Sequence, residues 1–187
     1  MTSPTLAVAL PSWVDPFIDW RRRYVSLEDR MDLVLALAGE HVQRGSGGPF
    51  AAAVFERDAG RLVAVGVNLA VPSHNSVLHA ETVALMMAET LLHSHDLGAD
   101  GMPGHELVCS CDPCAMCLGA TLWSGVARLV CGADREDAEA IGYDEGPVFP
   151  SSYDYLRQAG VQVVRGVRRS AARAVLDAYR AAGGVIY

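Results

Sequence analysis

Two short motifs, His79-Ala80-Glu81 and Pro113-Cys114-Ala115-Met116-Cys117, constrain this 187-residue chain more than any other feature. They gather one imidazole and two thiols across a gap of 35 positions. Both stand where helical periodicity begins: Val83, Met86, Met87 and Leu91 recur at helical spacing after His79, and a second helix is expected from about Cys114 to Ser124. The fold must therefore bring two helix starts side by side. Cys114 and Cys117, three apart, can face one ion from a single turn, and a helix N-terminus favours their thiolate forms. A structural zinc site closes with four protein ligands, whereas three leave the open position that a catalytic zinc needs. Glu81, two residues from His79, can serve that position as a proton carrier without being a ligand. Zinc lowers the pKa of its bound water to about 7, and a glutamate can relay the released proton.

The rest of the chain supplies a scaffold for such a junction. Ser26 with Asp29 makes a capping signature, and Met31, Val34, Leu35, Ala38 and Val42 predict a helix before Gly45. The turn Gly45 to Phe50 leads into "AAAVFERDAGRLVAVGVN", two apolar runs around an Asp-Ala-Gly break, which predict a β-hairpin closed by Asn68. "ELVCS", "ARLVCGA" (Ala127 to Ala133) and "VQVVRGV" (Val161 to Val167) predict three more strands, followed by a helix from about Ser170 to Ala182. The order α-β-β-α-β-α-β-α-β-α predicts an α/β sheet covered by helices on both faces. Residues 1–25, with three prolines, Trp13 and Trp20, read as an irregular N-terminal arm, leaving 26–187 as one catalytic domain.

Composition sets limits on partners. A formal charge of −7 opposes a polynucleotide substrate, so no nucleic acid is expected. No window approaches the roughly 18 apolar residues of a membrane helix, and "TLAVAL" is too short for a signal peptide, so a cytoplasmic protein without a membrane partner is expected. Five cysteines there suit thiols or metal ligands better than disulfides. Cys109 and Cys131 sit in apolar strands and read as core, as does Cys111. Cys111, Cys114 and Cys117 also form C-x2-C-x2-C, part of an iron–sulfur run, but the next cysteine, Cys131, is 14 positions on. His74, His93, His95 and His105 read as solvent-facing.

His79-x-Glu81 followed by Pro113-Cys114-x-x-Cys117 resembles the signature of the zinc-dependent cytidine deaminase superfamily. "GGPFAAAVFE", "HAETVAL", "CDPCAMCLGATLWSGV" and "EAIGYDEGP" resemble in order the bacterial guanine deaminase branch, over about residues 26–187. The resemblance implies a three-layer α/β/α cytidine-deaminase-like fold with a central mixed five-stranded sheet. It implies one Zn2+ per chain on His79, Cys114 and Cys117, and Glu81 as proton shuttle. It further implies that Asn68 hydrogen-bonds the base, that Phe50 and Trp123 line or stack near it, and that the Ala80 backbone N–H contacts it. In this branch a carboxylate in the segment of Asp144 and Glu145 contacts the purine or assists proton transfer, and Glu145 is the choice. The C-terminal "YRAAGGVIY" is implied to close the pocket, with Tyr187 as a contact, and the protein to be a homodimer. Asp112 departs from the branch, where glutamate is more usual, but it lies outside the ligand set.

The activity implied is hydrolysis of guanine at C2 to xanthine and ammonia, with Glu81 delivering its proton to the neighbouring ring nitrogen. Deamination of cytosine, ammeline or another aminopurine or triazine would use the same centre, since each bears an amino group on a ring carbon bonded to a ring nitrogen. A transfer-RNA adenosine deaminase shares the motifs but must hold a polyanion. From a different class, the cysteines could form a structural zinc or thiol module without turnover. Without the motifs, Asn68 reads as a turn residue, Phe50 and Trp123 as core, and Asp144 and Glu145 as a solvated loop.

Overall fold

The computed structural model describes Ser3 and residues 5–187; Met1, Thr2 and Pro4, all within the expected arm, lie outside the described residues. Five strands form one sheet in the order β2-β1-β3-β4-β5: β1 Ala51–Glu56, β2 Leu62–Val67, β3 His105–Cys111, β4 Arg128–Ala133 and β5 Gln162–Val164. β1 pairs antiparallel with β2 and β3, and the pairs β3–β4 and β4–β5 are parallel, so the sheet is mixed, as the resemblance implies. Helices α1 Val14–Phe17, α2 Leu27–Gln43, α3 Ala80–Leu92, α4 Ala115–Trp123, α5 Arg135–Glu139, α6 Pro150–Gln158 and α7 Arg169–Ala181 complete the described fold.

Alternation along the strands distributes the core over two faces. Ala53, Phe55, Val108 and Val130 pack toward Met31 and Val34 of α2 and Leu176 of α7. Ala52, Val54, Leu107 and Leu129 pack toward Ala84 and Leu85 of α3, Leu118 of α4 and Leu156 of α6. β3 is buried along its whole length because both its faces are covered. Cys109 and Cys131 are partners across β3 and β4 and are buried as small apolar groups.

α2 starts where capping chemistry places it, the Ser26 hydroxyl accepting from the Asp29 N–H at 3.0 Å, whereas His79 and Cys114 occupy the N-cap positions of α3 and α4 without a side-chain cap bond. Other expectations need correction. His105 is not solvent-facing: it opens β3, is 1 % exposed, and lies with Nδ1 2.7 Å from the Leu97 carbonyl oxygen. The last strand covers only Gln162–Val164, because Arg165 turns to pair with Asp112 and Gly166 adopts a left-handed φ of 77°. Between β4 and β5 there are two helices where the pattern suggested one. The arm is not wholly irregular, since α1 buries Val14, and Ile18 just beyond it is also buried.

A buried ion-pair centre joins the two layers. Glu106 of β3 is fully buried and pairs with Arg30 of α2 and Arg128 of β4. Arg30 also donates to the carbonyl oxygens of Tyr24 (2.9 Å) and Arg57 (2.8 Å), so each buried charge has partners.

α3 lies directly on β2 at Gly66, where a Cβ would collide with the Ala80 carbonyl oxygen and the Ala84 nitrogen. That contact sets the depth at which His79 begins its helix. Gly66→Ala is expected to destabilise the fold by about 3 kcal/mol through forced separation of strand and helix. An unchanged urea midpoint would show that the contact yields freely.

Candidate active site

α3 and α4 present their N-termini at the same end of the sheet, and there the two motifs meet. His79, Cys114 and Cys117 each offer one donor atom, and these atoms all lie within 4.8 Å of one another. Cys114 Sγ is 3.5 Å from His79 Nδ1. Cys117 is fully buried behind them, whereas His79 and Cys114 also line a pocket, so the set is closed on the protein side and open toward the pocket. One imidazole and two thiols are donors that suit zinc, and three leave a coordination position on the pocket side.

The electrostatics agree with a centre prepared for a cation. The Cys114 thiol is pulled down to about 4 by its hydrogen bond with Cys117 and, next among the lowering effects, by its bond to His79. Cys117 is pushed far in the opposite direction by the same bond and by burial. The two thiols thus share one proton, which a metal would displace. The hydrogen bond to Cys114 raises the His79 pKa, so the imidazole too would lose its added proton on ligation.

The remaining pocket walls come from loops. Asn68, just after β2, is 1 % exposed; its N–H donates to the Phe50 carbonyl (3.0 Å), and its Oδ1 accepts from the Ala70 N–H (3.2 Å). Glu81, in the first turn of α3, is pushed up to about 7 by burial, reinforced by the Cys114 charge and opposed by His79. Glu145 is pushed up to about 8 by burial first and Glu81 second. Each carboxyl therefore accepts a proton near neutrality, as a proton-transfer group requires.

Most of the sequence-derived residues gather here. Phe50, Asn68, His79, Glu81, Cys114, Asp144, Glu145 and Tyr187 line one pocket. Ala80 is fully buried as the first residue of α3, behind His79. Asp144 touches the rim only: it is exposed, and its Oδ1 accepts from the Gly146 N–H at 2.9 Å, leaving Glu145 as the inward carboxylate.

Trp123 does not join them. It ends α4, nine positions beyond Cys114 and so about 13 Å along the helix axis, and is 81 % exposed. The expectation that it stacks near the base is corrected for this chain's own pocket. Tyr143, Ser76 and Asp112 line the pocket without having been singled out for it. Tyr143 sets an edge against Phe50 at 4.9 Å and against Tyr187 at 5.7 Å. Its only sequence signal is its place beside Asp144.

The C-terminal tail covers this pocket within the same chain. Tyr187 exchanges two hydrogen bonds with Asn68: its hydroxyl donates to Oδ1 at 2.9 Å or accepts from Nδ2 at 2.6 Å. The Val185 carbonyl oxygen accepts from the hydroxyls of Tyr179 (2.9 Å) and Tyr143 (3.3 Å). Gly184 lies so close to the Tyr179 ring that a Cβ would collide with it.

Residues 25–133 match the family model described as the cytidine and deoxycytidylate deaminase zinc-binding region. The chain is 34 % identical over 115 residues to a guanine deaminase of Bacillus subtilis, covering 62 % of this chain and 69 % of that one. It is 45 % identical to a solved guanine deaminase of Nitrosomonas europaea, with a TM-score of 0.91 and coverage of 97 % and 99 %. It also superposes on NE0047 in complex with 2,6-diaminopurine, with 47 % identity, a TM-score of 0.92 and coverage of 98 % and 96 %. Asparagine and glutamate variants of NE0047 have been solved with 8-azaguanine.

Proposed function

The chain belongs to the cytidine and deoxycytidylate deaminase zinc-binding family, and from that premise we propose that it hydrolyses guanine to xanthine and ammonia. The observation that carries this reading is the convergence of two buried carboxyls, Glu81 and Glu145, with Asn68 beside a His-Cys-Cys donor set. It is a zinc-dependent nucleobase aminohydrolase. His79, Cys114 and Cys117 would hold one Zn2+ per chain, which when bound supplies Lewis-acid activation of water.

The chain's own groups do the rest. Asn68 offers both a donor and an acceptor to the edge of the base once the Tyr187 hydroxyl that holds them gives way, and Phe50 with Tyr143 supplies an aromatic wall. The Ala80 N–H, at the first turn of α3, has no carbonyl partner within its helix and is the backbone donor we assign to the base. Glu81 takes the proton from water at its carboxylate and passes it to the ring nitrogen beside C2. Glu145 gives a proton to the departing amine and recovers one from the hydroxyl at C2 as the carbonyl forms, so that ammonia leaves neutral. Glu145 serves better than Asp144 because burial keeps it protonated near neutral pH, whereas Asp144 is exposed.

We assign the protein to the cytoplasm as a homodimer. No helix among the described residues is long and apolar enough to cross a membrane. Support for a dimer is the apolar outer surface of α4 and α6 with its flanks, where Met116, Trp123, Phe149 and Tyr155 are exposed. Exposed aromatic groups of that kind mark protein contacts.

Ammonia release from guanine, cytosine, ammeline and adenine tests the reading. Guanine should give the highest kcat/KM with xanthine as product, and a chelator should abolish release until Zn2+ is restored. Preference for another base would overturn guanine as substrate. Zinc-loaded protein inert to every base would overturn turnover altogether.

A further inference from the structure

The glycine-rich turn before β1 and the end of α2 surround the backbone of Asn68. His41, in the last turn of α2, is fully buried with Nε2 2.9 Å from the Asn68 carbonyl oxygen. A carbonyl only accepts, so Nε2 carries the proton, and Nδ1 is left to accept from the Ser46 hydroxyl at 2.6 Å. Burial lowers the His41 pKa and keeps the ring in this neutral form. Gly47 closes over the pair: a Cβ there would collide with both the Asn68 carbonyl oxygen and His41 Nε2. On another side Trp13 of the arm lies 6.0 Å from the imidazole, ring centre to ring centre.

Asn68 is thus held at three backbone or local points, namely Phe50, Ala70 and His41, while its carboxamide turns into the pocket. His41 is the only one of these holds made by a side chain from another element, and a fully buried histidine is a costly way to satisfy one carbonyl unless its geometry matters.

We propose that His41 is a positioning residue for base recognition, fixing the Asn68 backbone so that its carboxamide meets the base edge in one orientation. The inference rests on the reading of Asn68 as the residue that binds the base. It gives the "GSGGPF" turn a task beyond chain reversal, since Ser46 fixes the tautomer and Gly47 admits the contact.

A double-mutant cycle tests it, with kcat, KM for guanine and zinc content measured for each protein. His41→Leu should raise KM about ten-fold while zinc content and kcat stay near the parent values. His41→Gln, which can still donate to the carbonyl, should recover most of the loss. In an Asn68→Ala background His41→Leu should add little, because its route of action is gone. Independent, multiplying penalties, an unchanged KM, or a glutamine variant no better than leucine would overturn the proposal. Should His41→Leu fail to fold, Ser46→Ala takes its place: a raised KM that vanishes in the Asn68→Ala background supports the inference, and any other result overturns it. If Asn68→Ala itself leaves KM unchanged, the assignment of Asn68 fails; if only the His41 and Ser46 variants are silent, that assignment stands and the positioning role falls.

Discussion

Glu81→Gln is expected to lower the rate of ammonia release by about a thousand-fold while the protein still binds one zinc ion per chain. The substitution keeps the shape of the side chain and removes only its capacity to take up and hand on a proton. Glu81 is the carboxyl with the right access, buried in the first turn of α3 two residues from His79, and held near 7 by burial. It is absent from the donor set formed by His79, Cys114 and Cys117, so metal content should not follow activity. Metal analysis together with steady-state assay separates the two. Turnover within about ten-fold of the parent would remove Glu81 from the proton-transfer step.

The largest effect on stability is expected at Glu106→Ala, a loss of about 3–5 kcal/mol in urea denaturation. The carboxylate has no exposure and serves two arginines, one of which, Arg30, is itself only 3 % exposed. Truncation leaves that guanidinium in the interior with carbonyl partners but no counter-charge. The centre ties α2, β3 and β4 at the start of β3, the end opposite the one that leads to Cys114, so the protein that remains folded should keep its kcat. A loss below about 1 kcal/mol would mean that water reaches Arg30 and replaces the carboxylate.

The starts of helices were the most legible part of the sequence, because apolar periodicity marks them locally and Ser26 adds a capping residue. Ser26, His79 and Cys114 each stand one position before a helix, and the chemistry-bearing motifs sit on two of those starts. What could not be read was which way a side chain at a helix end points and the burial of polar groups. Trp123 belongs to a stretch that resembles the family, yet nine residues of α4 carry it away from the donors; resemblance in order along a chain does not fix direction in space. His105 looked like a loop histidine because Pro103 and Gly104 precede it, but strand pairing with β1 and β4 encloses it. His41 had no local signal and Tyr143 only its place beside Asp144, since each gains its role from a partner at least 27 positions away.

Val185 is gripped through its carbonyl oxygen, and its side chain remains 56 % exposed. Two phenols that read backbone are blind to the identity of the residue they hold. Evolution is therefore free to rewrite position 185 with almost any amino acid, whereas Gly184, pressed against a ring, and Tyr187, facing Asn68, are fixed points of the tail. The closing segment is an address written in spacing rather than in letters, and inserting or deleting one residue between 184 and 187 would damage it more than replacing Val185.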